Sequence, residues 1–175
     1  ERFGLLPNKQ YIGTAGGLYK DKGVEVIYQA WEKLKHEMPN VHLVLAGPYQ
    51  PDYPPPEEER VHYLGSLAHH EISTLFQALD LGIISILDTP FGRYCFPQKA
   101  YEMLACDLPV VVANIGEMSY LFRDSPQVLF QTGNANDLAS KIQQQLQSPQ
   151  QQSIVVEDWA TIIQRLEPMI TALKF

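Results

Sequence analysis

The feature that most constrains this chain is an alternation. Short runs that are apolar at nearly every position are separated by longer segments of helical period. The runs cover residues 11–15, 41–46, 61–64, 81–86, 109–113 and 128–131, and the helical segments 22–37, 70–79, 97–106, 117–123, 136–147 and 156–173. A strand that is apolar on both sides must be covered on both faces, the condition met in a parallel sheet flanked by helices. Strand and helix in regular alternation, with right-handed crossovers, predict an α/β, Rossmann-like doubly wound parallel sheet of about six strands with helices on both faces. In the first helix Val24, Ile27, Ala30, Trp31 and Leu34 fall on one side, which should face the sheet. Residues 48–60 break the rhythm. They carry Pro51, Pro54, Pro55 and Pro56 and predict a surface loop between the second and third strands, because proline lacks the donor that a helix or central strand needs. Gln143, Gln144 and Gln145 fit the polar side of a helix whose apolar side is Leu138, Ile142 and Leu146. The second glutamine triplet reads as a linker, so residues 150–175 form a terminal linker and helix.

Size and charge narrow the function. At 175 residues the chain is one domain with a full core. A formal charge of −7, with no run of Lys and Arg, argues against a nucleic-acid binder. Cys95 and Cys106 are too few for a disulfide framework and read as reduced thiols of a cytoplasmic protein. No apolar stretch approaches the roughly 20 residues that span a bilayer. The chain opens Glu1-Arg2-Phe3 without Met or signal peptide, and is expected to be a piece of a longer protein.

Two cations stand where helices begin, the end at which the macrodipole favours anions. One is Lys99, just after Pro97, which suits the first helical position. The other is Lys22. The usual doubly wound order is 3-2-1-4-5-6, and its ligands bind beyond the carboxyl ends of the strands where the order reverses. The loop after strand one holds Gly16, Gly17 and Lys22, and the loop after strand four leads into Lys99. Glycines admit a ligand close to the backbone, helix N-termini offer free amides, and two ammonium groups add charge. Together they predict a diphosphate site. Glu102, three residues after Lys99, shares its helix face. Spacing alone fits equally an intrahelical pair with Lys99 or a carboxylate accepting hydrogen bonds from a sugar diol. His42 and His62 alternate with apolar neighbours and read as structural, His69-His70 as a helix start, and no metal-ligand spacing occurs.

Three blocks carry a family resemblance. They are Gly16-Gly17-Leu18 through Lys22-Gly23; Val61-His62-Tyr63-Leu64-Gly65 followed by Leu75-Phe76-Gln77-Ala78-Leu79-Asp80; and Phe96-Pro97-Gln98-Lys99 through Glu102-Met103-Leu104-Ala105-Cys106 and Leu108-Pro109-Val110-Val111. Asp158-Trp159 adds the start of a terminal helix. These resemble the carboxy-terminal, donor-binding half of a retaining family-four glycosyltransferase of GT-B fold. The resemblance implies that residues 1–175 bind a nucleoside-diphosphate sugar, UDP-sugar favoured, for transfer of a hexose to an acceptor hydroxyl in polysaccharide or glycoconjugate synthesis. It implies that Lys22 binds the diphosphate, that backbone amides around Cys95, Phe96 and Pro97 hold the distal phosphate with Lys99 nearby, that Glu102 takes the ribose, and that Gly65 and Leu67 lie by the base. No metal is called for. The acceptor site, any membrane-surface contact and the remaining catalytic groups would belong to an amino-terminal domain of the same polypeptide, leaving this half inactive alone.

The chain departs from the family pattern at three places. Gly17 stands where an Arg is common, and Arg93 or Lys99 would have to substitute for it. The first residue of the family's glutamate pair falls at Tyr94, which either donates a hydrogen bond to the donor sugar or packs under its loop. Asp107 replaces a glycine. A nucleotide-sugar epimerase of the same architecture, or a degenerate non-catalytic binding domain, are the competing expectations. A phosphoacceptor receiver domain is disfavoured by Gly16-Gly17 at the end of strand one.

Overall fold

The computed structural model describes residues 2–96, 98–150, 152 and 154–172. Six strands, β1 (Gln10–Ala15), β2 (Val41–Ala46), β3 (Val61–Tyr63), β4 (Leu81–Ile84), β5 (Val110–Ala113) and β6 (Leu129–Phe130), pair in the order β3-β2-β1-β4-β5-β6. Every pairing is parallel. The predicted doubly wound sheet and its reversal between β1 and β4 are therefore present. The fully apolar runs are the central strands: β2, β4 and β5 are buried at every position, while the edge strands β3 and β6 are short and partly exposed.

The helices are α1 (Val24–Glu37), α2 (His69–Gln77), α3 (Pro90–Tyr94), α4 (Gln98–Leu104), α5 (Gly116–Leu121), α6 (Ala135–Gln147) and α7 (Trp159–Thr171). The five residues expected on the inner side of α1 are all buried, joined by Val26, and α1 packs against α6. Trp31, 1% exposed, donates its indole N–H to Glu58 Oε2 at 3.1 Å, which ties the proline-rich 48–60 loop to the helix. The loop has no helix of its own.

The structure corrects several local expectations. Lys22 is not in α1 but ends a 3-10 turn (Lys20–Lys22), and Gly23 at φ +66° separates that turn from the helix. The connection after β4 is not only a loop. Thr89 Oγ1 accepts the Gly92 amide at 3.1 Å and caps α3, with Pro90 in its first turn. Gln145 is not on the polar side of α6. It is 1% exposed, three positions from Ile142 on the buried stripe, and its Oε1 accepts the Gln150 amide at 3.1 Å where the chain turns away. Asp107 has φ +55°, the left-handed conformation for which glycine is suited, so the departure at this position is a strained one. In the terminal segment α7 begins at Trp159, three residues later than expected, because Asp158 Oδ1 accepts the Thr161 amide at 2.7 Å and fixes the N-terminus. Leu173, expected to end that helix, lies outside the described residues.

Candidate functional site

β1 and β4 run parallel side by side, with Ile12 opposite Leu81 and Gly13 opposite Gly82, so their carboxyl ends point the same way. Beyond them opens a cleft of about 390 Å³, into which Gly16, Lys22, Ser85, Cys95, Lys99 and Glu102 contribute. The reversal point predicted from topology is therefore where the predicted cations meet.

Lys99 leaves the first turn of α4 and crosses to β1, where its Nζ donates to Thr14 Oγ1 at 3.2 Å. It can do so because position 16 has no side chain: a Cβ there would stand 3.2 Å from Nζ, and the backbone has φ +116°. Burial, and to a lesser degree the neighbouring charge of Lys22, push the Lys99 ammonium down to about 8, with Glu102 acting the other way. A cation held against its own desolvation gains from an anion beside it.

Lys22 reaches the cleft from the opposite loop. Its Nζ lies 4.2 Å from the centre of the Phe91 ring in α3, a contact worth about 0.5–1 kcal/mol at a surface site. Gly23 sets its position. Ser85 Oγ, at the end of β4, donates to the Gly23 carbonyl at 3.1 Å, and a Cβ on Gly23 would fall 2.4 Å from that oxygen. Only a glycine lets the start of α1 come this close to β4.

Glu102 accepts Gln98 Nε2 at 2.9 Å across one helical turn. Lys99 turns to Thr14 instead, so of the pairings that spacing allowed, the intrahelical bond to Lys99 is not the one made. The carboxylate stays half-buried on the cleft wall.

Other expected residues fall elsewhere. Gly17 does not line the cleft: a Cβ there would meet the Tyr19 ring at 2.3 Å, so the position serves the turn. Cys95 lines the cleft, but its amide donates to the Phe91 carbonyl at 2.9 Å as the C-cap of α3 and is already engaged. Phe96 lines the cleft, and Pro97 lies outside the described residues. Arg93 Nε binds Asp88 Oδ1 at 2.5 Å on the surface and does not line the cleft. Tyr94 is 88% exposed, so the expectation that it packs under the loop is overturned by α3, which turns it outward. Gly65, at φ +66°, accepts the Gly47 amide at 2.7 Å, and Leu67 packs against the core; neither lines the cleft. His69, Ser85 and Thr14 were not singled out from sequence as site residues. His69 had a signal, as the start of a helix after the third strand, whereas Thr14 and Ser85 sat inside strand runs with nothing to mark them.

The two strand histidines form one unit away from the cleft. His42 Nδ1 and His62 Nε2 are 2.9 Å apart with stacked rings, and Tyr11 packs on both. Burial holds both imidazoles below the ordinary histidine range, and the mutual repulsion of the pair adds to this at His42. Among the described residues no three His, Cys, Asp or Glu side chains gather as metal ligands, and no helix is long and apolar enough to cross a membrane.

The family model of the glycosyl transferases group 1 matches residues 9–148, which contain every element from β1 to α6. The chain belongs to this family. Among its relatives, the D-inositol 3-phosphate glycosyltransferase of Mycobacterium tuberculosis is 27% identical over 133 residues, covering 69% of this chain but 26% of the enzyme. Among solved structures, HepE of Anabaena in complex with UDP and glucose superposes with a TM-score of 0.77 at 22% identity, over 95% of this chain and 49% of HepE. The C-terminal domain of the group 1 glycosyltransferase LpcC from Francisella tularensis gives 0.67 at 17% identity, over 91% of this chain and 87% of that domain. The group 1 domain described here thus has the fold of the C-terminal half of a GT-B glycosyltransferase. It spans about half the length of HepE and about a quarter of the curated relative.

Proposed function

We propose that this domain binds a nucleoside-diphosphate sugar, UDP-sugar by preference, and neutralises the diphosphate as it leaves. The observation that carries this reading is the convergence of Lys99, Lys22 and Glu102 on one cleft at the reversal point of the sheet. The two ammonium groups face the diphosphate, and Glu102 accepts hydrogen bonds from the ribose diol. HepE, which was crystallised with UDP-glucose, supports the choice of uridine and a hexose.

In the whole enzyme, the bond between the anomeric carbon and the diphosphate oxygen breaks and a bond to the acceptor oxygen forms. The acceptor proton leaves with that step and the diphosphate departs with the electron pair. Negative charge grows on the diphosphate oxygen as the bond lengthens, and cations fixed beforehand stabilise that charge most in the transition state. The family resemblance favours retention at the anomeric carbon and use of the product in polysaccharide or glycoconjugate synthesis. Acceptor recognition belongs to a second domain, and this domain alone binds nucleotide but transfers little or no sugar. Lys22 and Lys99 take the role a divalent metal plays elsewhere.

A thermal-shift panel of nucleoside-diphosphate sugars against wild type, Lys99→Ala, Glu102→Ala and the surface control Arg93→Ala tests this. A ligand at 100 times its dissociation constant stabilises by about 2.7 kcal/mol. UDP-sugars should raise the wild-type and Arg93→Ala midpoints, and the cleft substitutions should remove most of the rise. No rise with any nucleotide would favour a non-binding scaffold, and donor epimerised without acceptor by the full-length protein would favour an epimerase.

A further inference from the structure

Lys99 and Glu102 stand three residues apart on α4 and both line the cleft. That is the spacing at which a lysine and a glutamate pair along a helix. Away from bulk water the attraction between them is less screened and therefore stronger. Such a pair would cancel both charges and leave the cleft with little to offer either a diphosphate or a sugar diol. The structure does not make it. Each side chain is held by a different partner: Lys99 Nζ donates to Thr14 Oγ1 at 3.2 Å, and Glu102 Oε1 accepts Gln98 Nε2 at 2.9 Å.

Thr14 decides which partner Lys99 takes. It is 4% exposed, near the end of β1 and opposite Leu45 of β2, so its hydroxyl is fixed by the sheet. An ammonium has three protons to donate, and one given to Thr14 leaves two for a ligand. We propose that Thr14 is a positioning residue: it holds the Lys99 ammonium off Glu102, so that the cation stays with the diphosphate and the carboxylate with the ribose. This rests on the donor-binding reading above. Thr14→Val keeps the branched shape that a strand favours and removes the acceptor. Lys99 then turns to Glu102, and the site neutralises itself. The charged neighbours of Lys99 are Lys22 and Glu102, with His69 and Cys95 also on the cleft wall. Glu102 favours the ammonium, so closing on it raises Lys99 above its value of about 8, whereas loss of the hydroxyl alone lowers it further. The direction of the shift separates re-pairing from a contact merely lost.

Two measurements test this, on variants whose folding is checked by melting curves. Protein carrying carbon-13-labelled lysine reports the titration midpoint of Lys99 by NMR without any ligand, its signal being the one absent from Lys99→Met. Thr14→Val should raise that midpoint, Thr14→Ser should leave it in place, and Thr14→Val combined with Glu102→Gln should drop it below the wild-type value. Calorimetry with UDP-glucose near pH 7 should show binding weakened about tenfold by Thr14→Val, the scale of one hydrogen bond to a charged group, and near-wild-type affinity for Thr14→Ser. The proposal is overturned if Thr14→Val lowers the midpoint or leaves it unchanged, or if Thr14→Ser binds as weakly as Thr14→Val. If the midpoints move as expected but wild type binds no UDP-glucose, the hold of Thr14 on Lys99 stands and the donor-binding reading fails.

Discussion

The ammonium of Lys99 occupies the space that a side chain on Gly16 would enter, since a Cβ at position 16 would lie 3.2 Å from Nζ. The glycine thus serves the lysine as much as the turn. Gly16→Ala should weaken nucleotide binding without replacing a charged group. The φ of +116° adds backbone strain on the order of 1–3 kcal/mol. Chemical denaturation should show that loss. Titration of UDP should show weaker binding even at temperatures where the variant is fully folded.

Lys99 makes stability and binding depend on pH in opposite directions. Its folded value of about 8 is below the ordinary 10.5, so between these limits the unfolded chain binds more protons than the native one. The Lys99 contribution to stability of the free protein therefore rises with pH from about 8 to about 10.5. Diphosphate binding restores the charged form, so binding takes up protons near pH 8 and weakens above it. Calorimetry of a UDP-sugar, whose diphosphate carries no proton that titrates near neutrality, in two buffers of different ionisation enthalpy should give different apparent heats at pH 8.5 and equal heats at pH 6.5. Lys99→Met should remove the difference and cost at least about tenfold in affinity, the scale of one hydrogen bond to a charged group.

The His42–His62 pair gives the free protein an acid sensitivity. One ring must donate and the other accept, an arrangement that double protonation destroys. Both native values are depressed, so the native state binds fewer protons than the unfolded chain just below pH 6.5, and stability falls as pH drops from there toward the folded values. Lys9 and Arg60 oppose protonation of His42, Glu59 favours it, and Tyr11 packs on both rings without charge. The melting midpoint should decline between pH 7 and 5, and His62→Phe should flatten that decline. An unchanged slope in the variant would place the acid sensitivity in carboxylates instead.

Asp107 offers a gain. A non-glycine residue in the left-handed region costs about 1–2 kcal/mol, and glycine returns part of that as extra freedom in the unfolded chain. Asp107→Gly should raise stability by about 0.5–1 kcal/mol in denaturant unfolding, with no effect on UDP affinity.

The parts of this fold legible in the sequence were those set by burial on two faces. β2 matched its expected bounds, and the inner side of α1 was read residue by residue, because apolar periodicity follows directly from contact with the sheet. What periodicity could not show was a helix as short as α3, whose five residues turn on a threonine cap and a proline rather than on an apolar stripe. That omission propagated into the site. Without α3, neither the exposure of Tyr94 nor the pairing of Arg93 with Asp88 could be foreseen. Lys22 and Lys99 were found because a cation near a helix start contradicts a local rule. Thr14 and Ser85 broke no rule and so gave no such signal.

The ring that steadies Lys22 belongs to the loop after β4, and the hydroxyl that fixes Gly23 belongs to the end of that strand. The two cation-bearing loops are thus interlocked across the reversal point. Exchanging either one with a homologue, as in chimaera construction, would carry a charge into a setting built for a different neighbour. Loop grafts in this family should be made as matched pairs, with the segment after β1 and the segment after β4 taken from the same parent.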